Sequence, residues 1–273
     1  GPYIRKLAAK FEVTRKFHAN VPAQSERLSK ADCPTRKEDA VQYPYLSVVG
    51  SLLYAAICTR PDIFYAVMQL ARFNSNPGKP HVKAAETCIR YVEETADLGI
   101  KYTAPKNKSA KLVINAFVDS DWGGCPDTRR STMGYIIQVC GGPVSWRSKL
   151  MSTMALSSCE AEFMALTEVC RELMWMCRFL DEIGIEYEVP NVYCDSSSAI
   201  NWAEDPIQHQ RNKHVEIKYY YCRDVVADER VRLFKIHTIN NCADMMTKPV
   251  GRQVMDRIKM KAMGHEPPIF DDA

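Results

Sequence analysis

The sequence predicts an α/β protein in which a mixed five-stranded sheet is flanked by helices and preceded by a small helical module. Three observations support this fold class. Apolar residues recur at helical spacing between about residues 45 and 99. From about residue 111, short segments rich in β-branched and aromatic residues alternate with Gly-Gly pairs, which indicates an antiparallel meander. Strand and helix patterns then alternate, as in sheets that carry helices on their faces.

The helical module contains three predicted helices. The first has an apolar stripe made of Leu46, Val49, Leu52, Leu53 and Ala56. The second begins at Pro61, which suits a first helical turn, and the third spans about residues 80–95 after a breaker cluster at 74–78. A polar segment at 103–110 then marks the best domain boundary. We therefore divide the chain into a loosely ordered basic N-terminal segment (1–44), the helical module (45–110), the α/β domain (111–265) and a tail (266–273).

The α/β domain has five predicted strands. They cover residues 112–118, 132–139, 143–147, 192–194 and 231–237. The predicted helices cover residues 157–183, a segment that starts at 195–196, residues 215–227 and a segment from about 241. Because short glycine-containing connections join the first three strands, these strands are expected to be neighbours in the sheet.

Composition and charge narrow the functional class. The 273 residues include 46% hydrophobic and 25% charged residues, which argues against wholesale disorder and fibrous structure. The net charge of +3 is compatible with a nucleic-acid partner but does not establish one. The longest apolar run, residues 52–58, is far below the roughly 20 residues that span a bilayer, so no membrane partner is expected. An odd count of eleven cysteines without a secretory signal indicates reduced thiols in an intracellular protein.

Acidic residues stand at the ends of predicted elements. Asp119 ends the first strand, Asp195 ends the fourth strand and Asp244 opens the last helix. A carboxylate at the carboxyl end of a strand is well placed to enter a crevice above the sheet, where α/β proteins bind ligands. The alternative for each residue taken singly is a structural role, because Asp commonly caps helices and turns.

The long helix offers two glutamates, and only one of them can face the sheet. Glu160 and Glu162 point about 200° apart at 100° per residue. The side of the helix on which Glu162 lies is apolar, whereas Glu160 lies on a more polar side. A carboxylate on an apolar face needs compensation, and a metal ion commonly supplies it. We therefore choose Glu162 and expect Glu160 to be a capping or outer residue.

Carboxylates from four separate elements suit a hard divalent cation. Mg²⁺ prefers oxygen ligands and keeps coordination positions open for phosphate oxygens. Two such ions about 4 Å apart can activate a water and stabilise the leaving oxygen in phosphodiester cleavage. Zinc fits less well, because the cysteines form no CxxC pair and the histidines have no tight ligand spacing.

Nine segments, in this order, resemble one known family. They read YLSVVGSLLY (45–54), TRPDI (59–63), FVDSDWGG (117–124), RSTMGY (130–135), VSWRSK (144–149), ALSSCEAEFMA (155–165), CDSSSAI (194–200), KHV (213–215) and ADMMTKP (243–249). The chain resembles the C-terminal part of the polyprotein of copia-type long-terminal-repeat retrotransposons over about residues 44–250. That part is the end of the reverse transcriptase followed by ribonuclease H.

The resemblance implies a ribonuclease H fold and an endonuclease that cuts the RNA strand of RNA–DNA hybrids by two-metal-ion hydrolysis. The active-site carboxylates would be Asp119, Glu162, Asp195 and Asp244, with two Mg²⁺ ions as cofactor and Mn²⁺ as a substitute. Residues 45–110 resemble the thumb or connection region, and the upstream polymerase domain would be a partner in the full polyprotein. No segment resembles the paired aspartates of the polymerase palm, so DNA synthesis is not expected. The implied location is intracellular, in cytoplasmic virus-like particles or the nucleus.

Further residues are candidates for substrate contact. Arg130, Trp146, Lys149 and Lys213 could meet the phosphates or sugars of a hybrid, although solvated loop charge is the usual alternative. His214 is a candidate for proton transfer or product release, with packing of the following helix as the alternative. This sequence departs from the family pattern at residues 150–151 and 196–197. These departures concern substrate contacts rather than the four carboxylates.

Two other functions stay open from the sequence. A domesticated, non-catalytic domain that binds nucleic acid or a protein partner is one alternative, and the intact carboxylates argue against it. An integrase or transposase on the same fold is the other. Those enzymes use carboxylates in the order Asp, Asp, Glu, whereas here Glu162 lies between two aspartates.

Overall fold

A mixed five-stranded sheet forms the second half of the chain in the computed structural model, which describes residues 1–11, 17–36, 39–104, 111–204 and 221–267. The strands are β1 (Ile114–Asp121), β2 (Thr132–Val139), β3 (Gly142–Leu150), β4 (Asn191–Cys194) and β5 (Arg232–Lys235). Their order across the sheet is β3-β2-β1-β4-β5. The first three pair antiparallel as the predicted meander, while β4 runs parallel to β1 and β5 parallel to β4. The sheet confirms the predicted fold class.

Helices precede the sheet and cover both of its faces. In the described part of the chain they are α1 (Pro2–Lys10), α2 (Tyr45–Cys58), α3 (Phe64–Ala71), α4 (Lys79–Glu94), α5 (Ser158–Glu182), α6 (Ser197–Glu204), α7 (Tyr221–Ala227), α8 (Asp244–Thr247) and α9 (Arg252–Ala262). α5 packs on one face of the sheet and α8 on the other. The segment predicted as one last helix is divided into α8 and α9, because Pro249 cannot continue a helix. None of the described helices is long and apolar enough to cross a membrane.

The central strand β1 is buried on both faces. Ala116 and Val118 belong to the apolar cluster beneath α5, and Phe117 belongs to the cluster beneath α8 and α9. The rings of Phe117, Tyr193 and Phe234 stack across β1, β4 and β5, with centroids 5.2 and 5.5 Å apart. Cross-strand ring pairs favour one register over its neighbours, so this row helps to set which residues meet at the strand ends.

The helical module has its own apolar core and a buried ion pair. Arg60 donates to both carboxylate oxygens of Asp62 at 2.8 and 2.7 Å, and the Tyr91 hydroxyl donates to Asp62 at 2.9 Å. Both charged side chains are almost fully buried. Removal of either partner would leave an uncompensated buried charge, so this pair fixes how the turn before α3 meets α4.

The helical module and the sheet are in direct contact. The indole Nε1 of Trp146 on β3 donates to the main-chain oxygen of Ala56 on α2 at 2.9 Å. Arg72, next to α3, lies 3.3 Å from Asp127 in the connection between β1 and β2. The two parts are therefore linked by polar contacts at specific atoms as well as by apolar packing.

The described part of the N-terminal segment contains a helix that the sequence analysis did not predict. α1 buries Ile4 and Leu7 in the core of the helical module, and Phe11 follows in the same cluster. The apolar spacing of this short helix covers only three positions, too few to stand out from the sequence. Residues 105–110 of the boundary segment expected at 103–110, and the end of the tail, 268–273, lie outside the described residues. The division into domains stays a prediction.

Gly134 on β2 provides a test of how α8 is seated. A Cβ atom at Gly134 would lie 2.4 Å from the Cβ of Met246 and 2.9 Å from a methyl carbon of Thr247. Gly134→Ala is therefore expected to lower the free energy of unfolding by about 1–3 kcal/mol, measured by urea denaturation. Gly50→Ala is the matched control, because Gly50 lies inside α2 with open space around it. That change is expected to stabilise by about 0.5–1 kcal/mol. Equal effects of the two substitutions would show that α8 does not pack as described.

Candidate metal centre

The parallel pairing of β1 and β4 brings two of the predicted carboxylates together. Val118 is aligned with Cys194 in this pair. The residues that follow them, Asp119 and Asp195, therefore lie beside each other at the same end of the sheet. Asp119 is almost completely buried, whereas Asp195 is half-buried.

A third carboxylate is brought in by α8, which begins at Asp244. The side-chain amide of Asn241 donates to the main-chain oxygen of β1 that directly precedes Asp119, at 2.9 Å, and anchors the approach to α8. Gly134, which is paired with Asp119 across β1 and β2, leaves room for the helix. As a result, carboxylate oxygens of Asp119, Asp195 and Asp244 lie within 4.8 Å of one another.

The fourth carboxylate, Glu162, reaches the same end of the sheet from α5. One oxygen of Glu162 accepts a hydrogen bond from the main-chain N–H of Ser120 at 3.1 Å. Glu162 also forms a second group of possible ligands with Cys194 and Asp195, again with the ligand atoms within 4.8 Å of one another. Asp195 is thus common to both groups.

The neighbouring glutamate has a different position. Glu160 accepts a hydrogen bond from the main-chain N–H of Leu156 at 2.7 Å, and its own N–H donates to the Ser157 hydroxyl at 3.1 Å. These bonds satisfy main-chain donors at the start of α5, as an N-terminal cap does. Glu160 is buried at the helix start, whereas Glu162 lies beside Asp195.

Asp119, Glu162 and Asp244 have raised pKa values, because they share a site that is largely closed to water. Burial raises the pKa of Asp119, against the opposing effect of Lys248. Burial and then repulsion from Asp119 and Asp195 raise the pKa of Glu162 well above its usual range. Burial and then repulsion from Asp119 raise the pKa of Asp244 to about 7. The negatively charged forms of these groups are therefore disfavoured in the folded protein, and a bound cation would stabilise them.

Two residues that the sequence analysis did not single out contact these carboxylates. The Nζ of Lys248 lies 2.9 Å from Asp244 and 3.5 Å from Asp119. The hydroxyl of Thr247 donates a hydrogen bond to Asp119. The four-residue spacing of Asp244 and Lys248 was a usable signal, because residues at this spacing are neighbours on a helix.

The chemistry of the donors fits a hard divalent cation. Asp119, Asp195, Asp244 and Glu162 offer oxygen atoms, which Mg²⁺ and similar ions prefer. Burial, and next the negative charge of Glu162, raise the pKa of the Cys194 thiol well above its usual range. The two ligand groups contain this single thiol and no histidine, unlike the Cys and His sets that bind zinc. The identity of the metal stays a prediction.

The other predicted site residues that the structure describes make none of these contacts. Arg130 and Lys149 are exposed. Trp146 is half-buried, and its indole N–H donates to a main-chain oxygen of α2. Lys213 and His214 lie outside the described residues. Contact of any of them with a substrate stays a prediction.

The chain is similar to plant transposon polyproteins. It is 38% identical over 261 residues to the retrovirus-related Pol polyprotein from transposon TNT 1-94 of Nicotiana tabacum, a match that covers 94% of this chain and 19% of the relative. It is 35% identical over 261 residues to the retrovirus-related Pol polyprotein from transposon RE1 of Arabidopsis thaliana. This match covers 95% of this chain and 17% of the relative. The chain thus spans about a fifth of the length of these relatives. No protein-family model matches it.

Among solved structures, LC11-RNase H1 in complex with RNA/DNA hybrid is similar at 17% identity and a TM-score of 0.36, covering 50% of this chain and 94% of that chain. The transposon relatives confirm the resemblance found in the sequence. The chain belongs to the retrovirus-related Pol polyproteins of copia-type retrotransposons.

The raised pKa of Asp244 predicts how stability depends on pH in the absence of metal. The folded protein holds a proton on Asp244 up to about pH 7, whereas the unfolded chain releases it near its ordinary pKa of 3.8. The free energy of unfolding should therefore fall as pH rises between these values, by at most about 1.4 kcal/mol per pH unit from this group. Asp244→Asn should flatten this decline, as measured by urea denaturation in a chelator.

The matched control for this measurement is Glu186→Gln, which removes an exposed carboxylate paired only loosely with Lys111 at 3.6 Å. Its stability curve should run parallel to that of the unmodified chain. If the curve for Asp244→Asn also runs parallel to that of the unmodified chain, the pKa of Asp244 is not raised in the folded protein.

Proposed function

We propose that this chain is a ribonuclease H endonuclease of a retrotransposon polyprotein, which cuts the RNA strand of RNA–DNA hybrids. One observation carries the proposal: Asp119, Glu162, Asp195 and Asp244 come from four separate elements and meet at one end of a ribonuclease H-like sheet. The membership of the chain in the Pol polyproteins supports a nucleic-acid substrate.

The two groups that share Asp195 suit two divalent ions. Asp119, Asp195 and Asp244 would hold one, and Asp195 with Glu162 the other. Bound Mg²⁺, with Mn²⁺ as a substitute, would supply Lewis-acid chemistry for attack by water on the phosphodiester. The products would be a 3′-hydroxyl and a 5′-phosphate.

The protein's own part is to hold the carboxylates in place before the substrate arrives. The Thr247 hydroxyl orients Asp119, and the main-chain N–H of Ser120 orients Glu162. Each hydrogen bond removes freedom from a ligand that would otherwise turn away from its negatively charged neighbours. Preorganised ligands avoid the cost of reorganisation during the reaction.

Selection of a hybrid requires contacts outside the carboxylates. The 2′-hydroxyls and the shallow minor groove distinguish the RNA strand. Arg130 and Lys149 are exposed and could meet backbone phosphates, and Lys213 and His214 are further candidates. Trp146 is the weakest of these candidates, because its indole N–H is already bonded to α2. We propose that the polymerase domain of the polyprotein is the partner, in an intracellular particle or the nucleus.

Asp195→Asn tests the reaction directly. The change removes a negative metal ligand with almost no change in volume, so the fold should persist. Loss of several kcal/mol of transition-state stabilisation should lower the rate of hybrid cleavage about a thousandfold or more. The assay uses labelled RNA–DNA hybrid, RNA duplex and DNA duplex, each with and without Mg²⁺. A chain that binds hybrid but cuts none of these would instead support the non-catalytic alternative.

The two glutamates give a matched pair of variants on one helix. Glu162→Gln should damage cleavage far more than Glu160→Gln, because only Glu162 lies beside Asp195. Glu160→Gln should chiefly lower the melting temperature, since it weakens the cap of α5. The opposite order of effects on cleavage would show that Glu160 is the metal ligand.

A further inference from the structure

Lys248 places a positive charge among the carboxylates of the metal centre. Its ammonium lies 2.9 Å from the Oδ1 atom of Asp244 and 3.5 Å from the Oδ2 atom of Asp119. The side chain of Lys248 is 31% exposed, whereas those of Asp119 and Asp244 are 2% and 7% exposed. The lysine therefore extends from the rim of the site into its interior.

The ammonium and a divalent cation need the same partners. Asp119 and Asp244 are two of the three residues whose oxygens lie within 4.8 Å of one another. A cation bound to these oxygens would stand within a few ångströms of the Nζ atom. Two positive charges at that separation repel one another strongly in a partly buried site.

The backbone at Lys248 is held while its side chain can turn outward. The main-chain N–H of Lys248 donates to the carbonyl of Asp244 at 3.3 Å, which closes the single turn of α8. Lys248 itself is extended, and Pro249 follows it. The four methylenes of lysine then allow the ammonium to reach either the carboxylates or the solvent at the rim.

We propose that Lys248 is an internal counter-ion of the metal centre: its ammonium stabilises the metal-free fold and moves aside when a divalent cation binds. This inference rests on the proposed metal centre, but it does not depend on which nucleic acid is the substrate. The carboxylates stay compensated without metal, and the affinity for metal is lower than four carboxylates alone would produce.

The test compares Mg²⁺ binding by isothermal titration calorimetry and thermal melting for the unmodified chain and Lys248→Met. Without metal, the variant should melt at a lower temperature, because its carboxylates lose their counter-ion. Mg²⁺ should bind the variant at least about tenfold more tightly, since the repelling charge is gone. The rise in melting temperature on addition of Mg²⁺ should be correspondingly larger.

Lys235→Met is the matched control, because it removes the same charge at the edge of the same centre. The Nζ of Lys235 donates to the main-chain oxygens of Asp195 and Ile236 rather than to a carboxylate. Its effect on Mg²⁺ affinity should stay within about twofold, as for a solvent-screened charge. Lys248→Gln serves as a second neutral variant that can still donate to Asp244 if Lys248→Met does not fold.

Three outcomes would overturn the proposal. Equal or weaker Mg²⁺ binding in both neutral Lys248 variants, with binding lost in Asp244→Asn, would leave the metal centre standing and remove Lys248 as a competitor. An equal gain in affinity in Lys235→Met would show a general effect of net charge. No Mg²⁺ binding by the unmodified chain or by any Lys248 variant would overturn the metal centre itself, and this inference with it.

Discussion

The negative charge buried at the ends of β1 and β4 is the constraint on which the rest of the structure depends. Asp119, Glu162 and Asp244 are each largely closed to water, and burial raises the pKa of each. Such a group persists in a folded protein only when the surrounding atoms compensate its charge. The main-chain N–H of Ser120 and the ammonium of Lys248 supply that compensation here. The buried carboxylates that a metal ion would need therefore destabilise the fold wherever their charge is not compensated.

The N-terminal segment takes part in this arrangement at the end of β1 and in the connection that follows it. Arg27 pairs with Asp121, two residues beyond Asp119, and also donates to the main-chain oxygen of Gly124. A Cβ atom at Gly124 would overlap the side-chain ends of Arg27 and Asp121, so a larger residue there would displace this pair. Because the same connection leads back into β2, the N-terminal part of the chain braces the strand that carries Asp119.

Much of the architecture was readable from local patterns. Strand β2 has the bounds that alternation predicted, and α5 differs from its predicted range by one residue at each end. The 200° separation of Glu160 and Glu162 follows from helix geometry alone, and the structure places them at different sites. By contrast, α1 was missed because its apolar face is too short to show a period. The sequence placed Gly134 in a strand but did not explain why this position is glycine. The structure explains it, because α8 approaches the strand closely at this point.

The sequence by itself determined the order of the elements, the family and the residue types available for a metal. Hydrophobic periodicity, helix caps and turn residues each depend on residues only a few positions apart, so they can be recognised in the sequence. Only the tertiary structure decided that Asp195 belongs to two ligand groups and that Lys248 reaches into the centre. These facts depend on the register of β1 against β4 and on the seating of α8 over Gly134. Both bring together residues more than 70 positions apart, and no local pattern records such a distance.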